Sequence, residues 1–464
     1  MSLEYPYEAA RRPIRSIIDT GLAEGGDPYR AAAEQAGGTS PLSATSRSLH
    51  DAAQEPYCGP DARSFSAEPY AGSDARSFAA EPYAGLNVRS FAAEPYAGLG
   101  TARGAASAAR DSAEPTPGQG TRGGRPIRVA FVCSFLYGAG IENWMVGLRQ
   151  YSDPAAVQFV RCVVTTSLVD ERIVRRLGIP VTVGQAEAVR AAAVDADVLI
   201  VSGPAQVGDW LADRPRCRVV FVAHGDGHWT RDILNCCRGV VDEVVAVSRR
   251  VQEAVGSGFR TTVIHNGIDP AHLVVTEDPA LVRRRLGFGP DDFVLGYVGR
   301  FSPEKNVGAL VDAVERLPEG FKLLLVGFGP ERAELMDRAN RRIPGRYTFT
   351  EAHQDLGALY HAMDAFGLPS LSEGYGLVLM EAMFCGRPVI SGPVGFAPEA
   401  LQDRVNGMVV DGTPEGFAGA ARLLRDHPEW RKGVGQEARA FALRYGLAAR
   451  MAEKYRRFLS TVVR

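Results

Sequence analysis

Two cations and two acids stand out by position. Arg300 and Lys305 lie in Gly299-Arg300-Phe301-Ser302-Pro303-Glu304-Lys305-Asn306, directly after an apolar run. The chain has four lysines (Lys305, Lys322, Lys432 and Lys454) against 48 arginines, so a lysine in such a loop reads as chosen. A guanidinium fork and a compact ammonium together match a diphosphate, the first through bidentate hydrogen bonds and the second as a point charge. Glu373 and Glu381 stand eight residues apart in Pro369-Ser370-Leu371-Ser372-Glu373-Gly374-Tyr375-Gly376-Leu377-Val378-Leu379-Met380-Glu381. That spacing is about two helical turns, so both carboxylates can face one cleft and accept hydrogen bonds from hydroxyls. Between them Gly374 and Gly376 bare the backbone N–H groups at a helix start to an anion. An anion cradle flanked by two acids suits a sugar nucleotide.

Three more loops invite a ligand. Gly138-Ala139-Gly140 opens a helix, and Gly327-Phe328-Gly329-Pro330 permits close backbone approach. His224 in His224-Gly225-Asp226-Gly227-His228 can hydrogen-bond a sugar or phosphate. Asp195-Ala196-Asp197 has the spacing of a metal-binding acid pair, but an apolar run follows it, and it reads as a helix-to-strand corner. No metal site is assigned.

These loops follow short apolar runs at 128–133, 158–165, 198–202, 218–223, 243–247 and 261–265. A second set lies at 293–298, 322–326, 347–349, 365–368, 388–390 and 407–410. Helical patterns at 141–151, 248–256, 306–316, 330–342, 354–362, 376–385 and 414–426 separate many of them. Strands alternating with helices predict parallel β-α-β units, here two doubly wound sheets joined around 267–292. In such sheets ligands bind beyond the carboxyl ends of the strands, where the singled-out residues lie.

At 464 residues the chain is too long for one ordinary domain. A formal net charge of -2 argues against nucleic-acid binding. No apolar run approaches the roughly 18 residues of a membrane span, and the first 30 residues lack a secretory pattern. A cytoplasmic location is expected, with peripheral membrane association left open. Seven scattered cysteines predict buried free thiols. Residues 1–125 differ from the rest, with one valine (Val88), no lysine and no tryptophan. Too little apolar area is available there to offset chain entropy, which predicts disorder. Glu-Pro-Tyr recurs within it at 55–57, 68–70, 81–83 and 94–96, a period of 13, as a solvated linker or a row of docking motifs for a protein partner.

Together, Gly138-Ala139-Gly140, His224, Val247-Ser248, His265-Asn266-Gly267-Ile268-Asp269, Gly299-Arg300-Phe301 with Lys305-Asn306, Gly327-Phe328-Gly329-Pro330 and Glu373-x7-Glu381 resemble the family 4 retaining glycosyltransferases. The resemblance runs from about 127 to 464. It implies a GT-B fold, two Rossmann-like α/β domains facing across a cleft. The corresponding divisions are a disordered leader at 1–125, an acceptor domain at 126–270, a nucleotide-sugar domain at 271–435 and a helix at 436–464 crossing back to the first domain. The implied reaction moves a sugar from a nucleotide-diphosphate sugar to an acceptor hydroxyl with retention, without a further cofactor or metal. His224, Arg300, Lys305 and Glu373 take catalytic roles in that reading. Gly138, Gly140, Gly299, Gly327, Gly374, Tyr375, Gly376, Leu377 and Glu381 bind the donor. The acceptor, whether polysaccharide, lipid or small molecule, is unread. Alternative readings are a nucleotide-sugar epimerase or phosphorylase on the same fold, or a non-catalytic binding protein.

Overall fold

The computed structural model describes residues 125–137, 140–213, 215–351 and 355–464. The repeat-bearing leader and Gly138 lie outside the described residues.

Seven parallel strands form the first sheet. They are β1 (Ile127–Cys133), β2 (Val157–Val164), β3 (Val181–Val183), β4 (Val198–Ser202), β5 (Arg218–Ala223), β6 (Glu243–Ala246) and β7 (Thr261–Val263). Their order is β3-β2-β1-β4-β5-β6-β7. Every residue of β4 is buried, the pattern expected of a parallel strand covered on both faces. The covering helices are α1 (Gly140–Tyr151), α2 (Glu171–Leu177), α3 (Ala186–Asp195), α4 (Val207–Trp210), α5 (His228–Cys236) and α6 (Arg249–Val255). Asp170 caps α2 by accepting from the Arg172 N–H, and Ser248 caps α6 by accepting from Val251. Strand β3 is too short to register as an apolar run, and the sequence reading missed it.

The second sheet has six parallel strands: β8 (Phe293–Val298), β9 (Phe321–Val326), β10 (Tyr347–Thr350), β11 (Ala365–Leu368), β12 (Val389–Ser391) and β13 (Met408–Val409). Their order is β10-β9-β8-β11-β12-β13. Its helices begin with α7 (Pro279–Arg285), α8 (Gly308–Glu315), α9 (Arg332–Arg342) and α10 (Leu356–Ala362). They continue with α11 (Leu377–Phe384), α12 (Ala397–Ala400), α13 (Pro414–Asp426) and α14 (Pro428–Tyr445), and the last helix of the chain is α15 (Ala448–Val462). Short 3-10 turns occupy Pro270–Leu273 and Pro303–Lys305. In each sheet the strand order reverses beside the first strand, between β1 and β4 and between β8 and β11. Those switch points open the crevices in which doubly wound sheets bind ligands.

The stretch 436–464 is two helices, the end of α14 and all of α15. The break falls at Gly446 and Leu447, where Ile268 N–H donates to Gly446 O at 2.7 Å and Ala448 N–H donates to Ile268 O at 2.9 Å. Helix α15 then lies on α1, with Met451, Tyr455 and Leu459 buried in the same core cluster as Trp144. Gly147 on α1 permits that approach, since a Cβ there would stand 3.3 Å from the Ala448 Cβ.

Asp195 and Asp197 occupy the corner between α3 and β4. Asp195 pairs with Arg161 at 2.6 Å, and Asp197 accepts from the Arg128 N–H at 2.9 Å. Cys133, Cys162, Cys217, Cys237 and Cys385 are buried free thiols. Among the described residues no helix is long and apolar enough to cross a membrane.

Candidate active site

The loops after β8 and β11 are tied to each other. Leu371 N–H donates to Glu304 O at 2.9 Å, and the Asn306 side-chain amide donates to Pro369 O at 3.3 Å. Lys305 Nζ consequently stands 2.8 Å from Glu373 Oε1, an oxygen that also accepts from Ser370 Oγ at 2.8 Å. The pair is largely enclosed, with side-chain exposures of 21% and 11%. An ammonium has three donors, so this contact leaves Lys305 two for a ligand, and Glu373 keeps acceptor capacity on Oε2. Arg300 is 60% exposed and meets Glu304 only at 3.5 Å, so its fork remains open to an anion. Burial raises the Glu304 pKa, but the Ser302 hydroxyl and the nearby cations outweigh it and hold the carboxyl below its ordinary value.

Gly299 and Gly327 follow β8 and β9 with φ of 153° and 142°. A Cβ at Gly327 would lie 1.9 Å from Gly299 O, so these glycines are required first by the packing of one loop on the other.

Glu381 is placed by α11, which begins after Gly376 in a left-handed conformation of φ 84°. The first N–H groups of that helix, from Leu377 on, have no intrahelical acceptor. One helical turn later the Glu381 carboxylate is held on both oxygens, Oε1 lying 3.0 Å from His272 Nε2 and Oε2 accepting from Tyr360 Oη at 2.8 Å. Each oxygen has a second lone pair for a ligand hydroxyl. His272 lies in the 3-10 turn of the connector between the sheets, and Tyr360 on α10. Burial pushes the His272 pKa down, yet the hydrogen bond and charge of Glu381 outweigh it and raise it above 6.5. Sequence reading found neither residue, because Pro-Ala-His-Leu carries no loop signature and a tyrosine at helical spacing reads as core.

The first sheet brings its own carboxyl edge to these loops. A Cβ at Gly374 would fall 1.7 Å from His224 O, and one at Gly140 would fall 3.4 Å from Leu377 Cδ1. Ser248 Oγ donates to Gly374 O at 2.7 Å. Ser372 donates to Asp226, which also holds Arg250 Nε at 2.6 Å, and Arg250 reaches Pro393 O at 3.2 Å. Glu399 accepts from the Arg249 N–H at 2.8 Å and lies 3.0 Å from His265 Nε2. The His224 ring packs edge-on to Trp144 at 4.8 Å, and its Nε2 is buried without a partner. Burial drives its pKa down to about 3, so the ring is neutral. The Tyr375 side chain is buried and stacked on Phe396 at 4.7 Å, and its carbonyl accepts from the Phe396 N–H at 3.0 Å.

The structure thus joins Lys305 to Glu373 directly and sets Arg300 in the same loop. It stacks the backbones of His224 and Gly374 and brings Gly140 to Leu377. Glu381 sits apart from the Lys305 pair, in its own hydrogen-bonded cluster.

The profile of the family described as "Glycosyl transferases group 1" matches residues 292–427. Those residues, under a third of the chain, are similar to that family's domain. A D-inositol 3-phosphate glycosyltransferase from Mycobacteroides abscessus is 38% identical over 160 residues, covering 32% of this chain and 35% of that protein. One of the same name from Mycobacterium tuberculosis is 34% identical over 162 residues, 33% of each chain. The match therefore spans about a third of these relatives' length. The crystal structure of Anabaena Alr3699/HepE in complex with UDP-glucose superposes with a TM-score of 0.64 at 22% identity, over 72% of this chain and all of that one. The sucrose-phosphate synthase of Thermosynechococcus elongatus gives 0.60 at 19% identity, again over 72% of this chain and all of that one. The fold is accordingly GT-B, and the similarity to the group 1 glycosyl transferases falls in its second half.

Proposed function

We propose that the protein transfers a sugar from a nucleotide-diphosphate sugar to an acceptor hydroxyl with retention of anomeric configuration, in the manner of the family 4 enzymes. The observation that carries this reading is the Lys305 ammonium seated 2.8 Å from Glu373 at the second switch point, beside the open guanidinium of Arg300. The two cations would take the diphosphate and stabilise the charge that grows on it as the glycosidic bond breaks. Glu373 would bind donor sugar hydroxyls, Glu381 the ribose hydroxyls, and the N–H groups from Tyr375 to Leu377 the sugar or phosphate.

The ring of His224, kept neutral by burial, cannot add a third positive charge, and its contribution is a hydrogen bond near the anomeric carbon. Neither of the two acids singled out at the site stands free as a general base: Glu373 is paired with Lys305 and Glu381 with His272 and Tyr360. That favours front-face attack, in which a departing diphosphate oxygen takes the acceptor proton and the new bond forms on the face the leaving group vacates. The UDP-glucose complex of HepE supports a nucleotide-sugar donor.

The test is a thermal-shift screen of nucleotide sugars, followed by NMR of the product formed with the best donor. Retention is expected; an inverted product overturns the mechanism. Conversion of the donor sugar without any acceptor would point instead to an epimerase.

A further inference from the structure

We infer that Asp226 is a positioning residue for the transfer site: its carboxylate, at the edge of the first sheet, fixes the backbone from which Glu373 of the second sheet reaches the donor sugar. This deepens the glycosyl-transfer reading above and rests on it. Under that reading the donor binds the second half and the acceptor arrives at the carboxyl edge of the first sheet. A first-half residue that sets a donor contact would tie the two together.

Asp226 lies two residues after His224, in the loop between β5 and α5. Its side chain is 6% exposed, and a carboxylate so enclosed is stable only with donors on its oxygens. Both oxygens have one. Oδ1 accepts from Ser372 Oγ, and Oδ2 accepts from Arg250 Nε at 2.6 Å, while the same guanidinium donates to Pro393 O at 3.2 Å. One acid therefore reaches the loop after β11 directly and the loop after β12 through Arg250.

Ser372 immediately precedes Glu373, and the residue on the other side of Glu373 is also held by the first half, since Ser248 Oγ donates to Gly374 O at 2.7 Å. The second half supplies the remaining anchors. Leu371 N–H donates to Glu304 O, and Lys305 Nζ and Ser370 Oγ both donate to Glu373 Oε1. Those contacts fix one carboxylate oxygen, and the direction of the other, Oε2, follows from the backbone at 372–374. Of its two first-half brackets Asp226 is the cleaner to test, because Ser248 also caps α6 and any change there disturbs the helix. Asparagine has the shape of aspartate but an oxygen on one side and an NH2 on the other, so at 226 it would turn a donor toward Ser372 or Arg250.

The test measures dissociation constants for the full chain by calorimetry. The ligands are whichever of UDP-glucose, UDP-N-acetylglucosamine, GDP-mannose and ADP-glucose raises Tm most, and the matching nucleoside diphosphate. Asp226→Asn and Ser372→Ala should each weaken the nucleotide sugar about tenfold, the scale of one hydrogen bond to a charged group, while the nucleoside diphosphate stays within about twofold of the parent. The double variant should bind no more weakly than the weaker single one, because both changes remove the same contact. A merely structural loss would weaken both ligands alike. That result, an undiminished nucleotide-sugar affinity in Asp226→Asn, or additive losses in the double variant overturns the inference and leaves glycosyl transfer standing. A parent chain that binds none of the four nucleotide sugars overturns both.

Discussion

The Lys305–Glu373 contact decides what the residues can do. An ammonium beside a carboxylate, both mostly shielded from water, is held in one place before any ligand arrives. Lys305→Ala should lower kcat by about two to three orders of magnitude, the scale seen when one donor to a developing oxyanion is removed, with an unchanged circular dichroism spectrum. Wild-type turnover in that variant would remove Lys305 from the site. Both residues were legible in the sequence because each follows a recognisable strand, and a rare lysine carries its own signal. His272 was not legible, since what makes it matter is a contact to Glu381, 109 residues away. Its pKa is raised above 6.5, so its stabilising pair with Glu381 is fully formed below pH about 6.5 and weakens as pH rises through the folded value. His272→Gln should therefore lower Tm more at pH 6 than at pH 8.5, and should raise donor KM more than it lowers kcat. An equal loss of Tm at both pH values would show that only packing is involved.

At the scale of elements, two loops and a helix start interlock across the cleft. All strands but β3 were legible as mainly apolar runs of three to eight residues, because parallel strands are buried on both faces. The loops' mutual fit was not, since a glycine in a sequence does not say which backbone it faces. Gly374 faces His224 O, and the Ser248 hydroxyl fixes the arrangement by capping α6 and donating to Gly374 O at once. Gly374→Ala puts a methyl 1.7 Å from that oxygen, with backbone on both sides. Each sheet keeps its core, so the substitution should spare the thermal transition while cutting transfer at least a hundredfold. Soaring acceptor-independent hydrolysis would accompany it if the two edges no longer exclude water. Full activity in Gly374→Ala would mean that this contact is not part of the working conformation.

For the whole molecule, the chain crosses twice between its two sheets, once through the connector containing His272 and again at Gly446. The second crossing was legible only through the family resemblance, which implies one helix over 436–464 where the chain has the end of α14, a break at Gly446 and Leu447, and α15. The consequence is that the first sheet depends on the last residues of the chain. Met451, Tyr455 and Leu459 are at most 2% exposed and lie in the core cluster that holds Trp144. A buried Met or Leu alone contributes about 1.5–3 kcal/mol, so losing the whole face approaches the 5–15 kcal/mol by which a domain is usually stable. One face of the second sheet has a separate cluster around Phe293, Leu323 and Phe417 that takes nothing from α15, while its other face, with Val294, Leu324 and Phe366, shares the cluster that holds Trp144. Truncation after Gly446 should therefore open the first half selectively: limited proteolysis cuts within 127–263 while 293–426 stays protected. The truncated chain should still bind a nucleoside diphosphate through the loops bearing Arg300, Lys305 and Glu373, yet transfer no sugar, because the first-sheet edge proposed to receive the acceptor is gone. Equal protection of both halves would show that α15 is a surface addition rather than the closing layer of the first sheet.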